Sequence, residues 1–306
     1  GDLELSSVSA GAPFDVSASV YLQSFSVASQ ETDPQGIAFN TDGTKMFIVG
    51  SAGDDVNEYA LSTGFDISTA SFTDAFSISA QDSIPTAIVF NTAGTKMFVV
   101  GRSADAVFEY ALSTGFDVST ASYTDSFSVA GQDTGPVGIA FNTDGTKMFI
   151  VGYANDSVYE YTQSTGFDVS TSTFVDAFSI GGQDTSPTGL AFSTDGTKMF
   201  VSGNTGDDIN EYTLSTGFDV STSTFVDSFS VASQDSAPAD IAFNTDGTKM
   251  YVLGDTNNTV YQYELNTTTT TTGFNPVHTT ASIDSTYWTD INSMTADQAA
   301  GSGTIN

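Results

Sequence analysis

Short apolar runs broken by turn residues recur along nearly the whole chain, and none carries the 3.6-residue period of an amphipathic helix. In the first complete copy, Gly36 to Phe39 is small and apolar, as an innermost strand crowded around an axis must be. Met46 to Val49 is apolar at every position, which suits a strand buried on both faces. The Asp42-Gly43 pair between them supplies the positive φ of a tight hairpin. Val56 to Leu61 reads as a third strand, and after Ser62-Thr63-Gly64-Phe65-Asp66 the run Phe72 to Ile78 reads as an outer strand, with Phe72, Phe76 and Ile78 on one face.

The same pattern returns every 51 residues, with the phenylalanine of the first run at Phe39, Phe90, Phe141, Phe192 and Phe243. Four short strands per unit of this length are the mark of a propeller blade. The inner three strands occur five times, and so does the outer strand, near Tyr21, Phe72, Tyr123, Phe174 and Phe225. The last copy, ending at Leu265, has no outer strand after it, whereas Tyr21 to Val27 has no inner strands before it. The two orphans should pair. The expected fold is therefore all-β: a five-bladed β-propeller of four-stranded antiparallel blades, closed by the N-terminal outer strand, which leaves no open sheet edge at a break in the ring.

On this reading residues 1–13 lead in, 14–265 form the propeller, 266–272 make a Thr-rich linker, and 273–306, with His278 and Trp288, form a tail or the start of another module. The chain begins at Gly1 without a leader, as expected of a processed product or a fragment.

The repeated Asn-Thr-Asp-Gly-Thr-Lys-Met-Phe turn resembles the Asp-Gly hairpin joining the first two strands of blades in the YVTN, NHL and lactonase-like propeller families. The full unit, running on through Val-Asn-Glu-Tyr-Ala-Leu-Ser-Thr-Gly-Phe-Asp, is more similar to the highly repetitive propellers of structural and surface proteins of phages and marine bacteria. The likeness covers residues 14 to 265 and implies the fold. It lacks the unique His, Glu and Asn positions that line the central metal pocket of enzymatic propellers, which implies no catalysis.

Charge narrows the partners. The chain carries 37 Asp and Glu against 6 Lys and Arg, a formal net charge of -31. Nucleic acid, which requires a basic stripe, is not an expected partner, nor is an anionic membrane, and no apolar stretch is long enough for membrane insertion. This composition suggests an extracellular or virion-surface setting. There is no cysteine, so thiolate and disulfide chemistry are excluded.

Copy-to-copy comparison separates two faces. The lower-face loops scarcely change, whereas the upper face varies at Ser51, Arg102, Tyr153, Asn204 and Asp255, and at Asn57, Phe108, Tyr159, Asn210 and Tyr261. These ten are the candidate ligand-binding residues, since Arg and aromatic side chains dominate recognition hot spots; unconstrained drift explains the same variation equally well. Just before each inner strand stand Glu31, Asp82, Asp133, Asp184 and Asp235. The four aspartates are candidate calcium ligands if they converge near the channel mouth; the preferred reading has each capping the backbone of its own turn. No other cofactor is expected. The repeated lysines, Lys45 to Lys249, should pair with neighbouring turn carboxylates.

Five equivalent sites and no nucleophile beside a base argue against an enzyme. The expectation is a non-enzymatic structural and adhesive module of an extracellular appendage, fibre or virion. Its partners would be a cell-surface glycan or protein, or neighbouring subunits. A soluble multivalent lectin is the alternative and an enzyme acting at the channel mouth the third reading.

Overall fold

The computed structural model describes residues 12–265; the linker and tail expected over 266–306, and most of the N-terminal lead-in, lie outside them. Five four-stranded antiparallel sheets surround one axis. The first blade runs outward through Pro34–Phe39, Lys45–Gly50, Asp55–Leu61 and Ala70–Ser77. The ring closes as the strand count requires: Val20–Ser26 pairs antiparallel with Thr259–Glu264, Tyr21 opposite Tyr263 and Phe25 opposite Val260. The loop before this strand joins the closure, with Phe14 N–H donating to the Gly247 carbonyl at 2.9 Å.

The core lies between blades. One cluster joins Val49 and Val56 of the first blade to Met97 and Tyr110 of the second, and another carries Tyr59 against Val27 and Tyr251 across the closure. The outer strand departs from the simple alternation expected of it. A bulge at Thr73 places Phe72 opposite Tyr59 and Phe76 opposite Val56, so the two phenylalanines face opposite neighbours.

One device locks the lower end of each blade and a second fastens it to the next. Gly43 stands at φ +70°, and the ring of Phe65, itself at φ 59°, fills the space a side chain would need there. The lysine following this turn does not serve turn carboxylates. Lys45 Nζ reaches the strand residue Glu58 at 2.6 Å and donates to the Phe116 carbonyl of the next blade. The other oxygen of Glu58 accepts Val118 N–H at 3.1 Å. Glu58 is buried, so this pair is a blade-to-blade staple rather than a solvated surface contact.

Candidate functional site

Each innermost strand passes closest to the axis at one position, occupied in turn by Gly36, Ala87, Gly138, Gly189 and Asp240. The ring is so tight here that a Cβ on Gly36 would lie 2.8 Å from the Ala87 Cα. Small residues are therefore forced at this level, and the fifth copy breaks the pattern with a carboxyl. Asp240 Oδ2 accepts Ile37 N–H at 2.9 Å and Oδ1 accepts Ile241 N–H at 2.8 Å, with a third amide from Leu190. Burial pushes this carboxyl up to about 8, and the three amides only partly oppose the rise.

The amides that Asp240 uses stand one residue beyond the axial position of their strands. They point inward because the innermost strand has a partner on its outer edge only. Ile88 and Ile139 occupy the same register in the second and third blades, so their N–H groups face the same axis.

A second break in the repeat adjoins the first. Ser202 stands where the other blades have Val49, Val100, Val151 and Leu253, directly across the ladder from Gly189. Asp240 Oδ1 and Ser202 Oγ both crowd the point where a Gly189 Cβ would sit, the hydroxyl 2.7 Å from it. Ser202 is fully buried, with its Oγ 3.0 Å from Thr188 Oγ1 in a hydroxyl–hydroxyl hydrogen bond.

On the lower side of this level the axis opens into a cavity of about 360 Å³, walled by Ile37, Ile88, Ile139, Leu190 and Ile241, with Phe39, Phe90 and Phe141 further down. Among the described residues Asp240 is the only titratable side chain lining it, and Thr41, Asn91, Thr92, Asn142 and Thr143 add polar groups at the lower end. A single carboxyl among the aliphatic walls at the head of this cavity, with an affinity for its proton close to neutrality, is equipped to move a proton at a bound substrate.

The upper mouth is a separate, more polar space of about 230 Å³, where Arg102, Tyr153 and Asn204 do come together. The Arg102 guanidinium lies 5.1 Å above the Tyr153 ring. Ser51 donates to Asp33, and the Asp255 carboxyl is raised to about 6 by burial and by the nearby Asp33 and Asp235.

The other five upper-face candidates are not presented to a ligand. Asn57, Phe108, Tyr159, Asn210 and Tyr261 are between 2% and 7% exposed. Their strand is paired on both edges and a neighbouring blade covers its face. Tyr159 turns its hydroxyl inward to Asp133 Oδ2 at 3.1 Å, while Asn57 and Asn210 donate to Asp55 and Asp208.

The acidic ring does not converge either. Asp133 accepts from the backbone N–H of Gly135, Ala154 and Asn155 at 2.8, 3.1 and 3.0 Å. Asp82, Asp184 and Asp235 hold the matching loops of their own blades in the same way. Among the described residues no three Asp, Glu or His side chains gather as a metal site. The preferred turn-capping geometry is the one present.

Asp240 and Ser202 were not among the sequence candidates. The signal that marks them is the break in five-fold identity at positions where four copies agree in size and polarity. A lone polar substitution at an axial position carries more information than variation among exposed loops.

The four-stranded blades and their repeat place the chain in the class of lactonase-like propellers. The chain belongs to the family described as lactonase, 7-bladed β-propeller, whose model matches residues 79–291, although the described residues here make five blades. This membership overturns the expectation of a non-enzymatic structural and adhesive module, as the loss of five-fold equivalence at Asp240 removes the argument from five identical sites. Adhesion, fibre and lectin roles accordingly give way to an enzymatic reading.

Solved structures share the propeller architecture. One, a functionally unknown protein from Desulfotomaculum acetoxidans, is 17% identical, with a TM-score of 0.47 over 72% of this chain and 65% of its own. Another, provisionally named a 6-phosphogluconolactonase, from Bacteroides uniformis, is 14% identical, with a TM-score of 0.48 over 74% and 65%. A luciferin-regenerating enzyme is 12% identical, with a TM-score of 0.50 over 79% of this chain and 95% of its own. The chain thus spans only 65% of the length of the first two. No curated protein matches the sequence.

Proposed function

We propose that the chain hydrolyses an uncharged lactone or simple ester in the lower axial cavity, with Asp240 as general base. The observation that carries this reading is Asp240 itself: the only titratable group among the described residues of the cavity, set between aliphatic walls and held near neutrality by burial, in a member of a lactonase family. In its ionised form the carboxylate takes a proton from water as the water oxygen bonds to the substrate carbonyl carbon. The Ile88 and Ile139 N–H groups facing the axis donate to the oxyanion that develops. Collapse of the tetrahedral intermediate breaks the carbon–oxygen bond of the ring, and the proton on Asp240 passes to the departing alkoxide. The product is a hydroxy acid.

Substrate charge follows from the walls. Among the described residues no Lys, Arg or His lines the lower cavity, so a phosphate or carboxylate would meet no counter-charge from them there. The net charge of -31 adds long-range repulsion against such anions. The same acidity supports an extracellular setting, as does the finer likeness of the repeat to surface propellers of phages and marine bacteria.

The test is acid release from a panel of neutral γ- and δ-lactones, wild type beside Asp240→Asn. Turnover by the wild type that falls by about 10²- to 10⁴-fold in the variant supports the assignment. Equal turnover by both proteins would remove it.

A further inference from the structure

The upper mouth is chemically unlike the lower cavity and lies on the other side of the tight axial level. Every one of the five lysines is in an ion pair with a glutamate. Arg102 is the remaining cation of the chain, and among the described residues it makes no ion pair. It is exposed at the rim of a cavity of about 230 Å³ in a protein of net charge -31. The guanidinium is therefore free to pair with an anion at short range, and that contact has to outweigh the long-range repulsion exerted by the net charge.

Its geometry suits that task. The Tyr153 ring, 5.1 Å from the guanidinium carbon, restrains the group by a cation–π contact, while its N–H groups remain available to a planar, two-oxygen partner. Asn204, one blade beyond Tyr153, lines the same space with a carboxamide able to meet a hydroxyl. The hydroxyls of Thr86 and Thr188 are turned to the carbonyls of Pro136 and Pro238, at 3.1 and 2.6 Å, and so are already engaged.

We infer that Arg102, Tyr153 and Asn204 form a binding site for a small hydroxy carboxylate at the upper mouth of the channel. The site stands on the cavity and on the unpaired cation, and does not depend on lactone hydrolysis below it. Arg102 supplies the charge and two aligned donors, Tyr153 fixes the guanidinium, and Asn204 selects for the hydroxyl.

The inference is tested by titration calorimetry of the full chain at low salt with 4-hydroxybutanoate, and with the neutral 4-hydroxybutanamide as control. The acid should bind the wild type at least about ten-fold more tightly than the amide, and Arg102→Gln should lose that difference. Tyr153→Leu should weaken acid binding by about three-fold, with its charge unchanged. Asp240→Asn should bind the acid as the wild type does, so a failure of the hydrolytic reading leaves this one standing. Equal affinity for acid and amide, or undiminished binding by Arg102→Gln, would overturn it, as would no heat of binding at millimolar acid.

Discussion

Replacing Asp240 by Asn removes an ionisable proton at nearly constant volume, and both stability and catalysis should register the change. The folded-state carboxyl sits at about 8 against an ordinary 3.8. Below 3.8 the folded and unfolded chains both hold the proton, and between 3.8 and 8 only the folded chain does, so folding takes up a proton throughout that window. Stability must then decline as pH rises through it, by about 1.4 kcal/mol for each pH step of one. From pH 5 to pH 7 the loss owed to this group is about 3 kcal/mol, and it levels off once the pH is well above 8.

Asn carries no such penalty. Urea unfolding at pH 5, 6, 7 and 9 should show the variant gaining on the wild type by about 3 kcal/mol between the first and third conditions, with the gain levelling off above pH 8. In the same proteins, lactone kcat/KM of the wild type should climb as pH rises through about 8, where the base ionises. A gap between variant and wild type that does not change with pH would show that the carboxyl is not held protonated in the fold. It would also withdraw the reason for assigning it the base.

Three further perturbations probe the frame that holds the site. Gly43→Ala sets a side chain at φ +70° and against the Phe65 ring, and thermal unfolding should show a loss of about 2–4 kcal/mol. Glu160→Ala leaves Lys147, 2.6 Å away in the wild type, and Val220 N–H without their partner, at about 3 kcal/mol. Glu160→Gln should cost clearly less, because Gln262 fills the equivalent place in the last blade and there accepts Ile67 N–H at 3.3 Å; equal losses for the two variants would contradict the staple. Asp133→Ala strands three loop amides and should cost about 3 kcal/mol, while added calcium leaves the wild-type Tm unmoved. A saturable rise in Tm with calcium would show that the acidic ring binds metal after all.

The blade count, the strand order within a blade and the closure by the N-terminal strand were all legible in the sequence. The reason is physical: a 51-residue period leaves one register for every strand, and an orphan strand at each end demands a partner. The turn chemistry was legible too, since Asp42-Gly43 permits few other backbones. The site was read less well. Variation between copies drew attention equally to Arg102, which reaches the upper cavity, and to Phe108, which is 7% exposed. Nothing in the residue types says that the loop after the second strand, with Arg102, is open while the third-strand face carrying Phe108 is covered.

Sequence by itself determined that this chain makes five like blades and which one seals the ring, because those properties depend on local pattern and on counting. Only the tertiary structure decided that Asp240 is more than an irregular copy. Five strands 51 residues apart in the chain converge at one level of the axis, and the dielectric and hydrogen bonds found there belong to all five at once. The same convergence, rather than any motif, separates the aliphatic-walled cavity below from the mouth that holds Arg102 above.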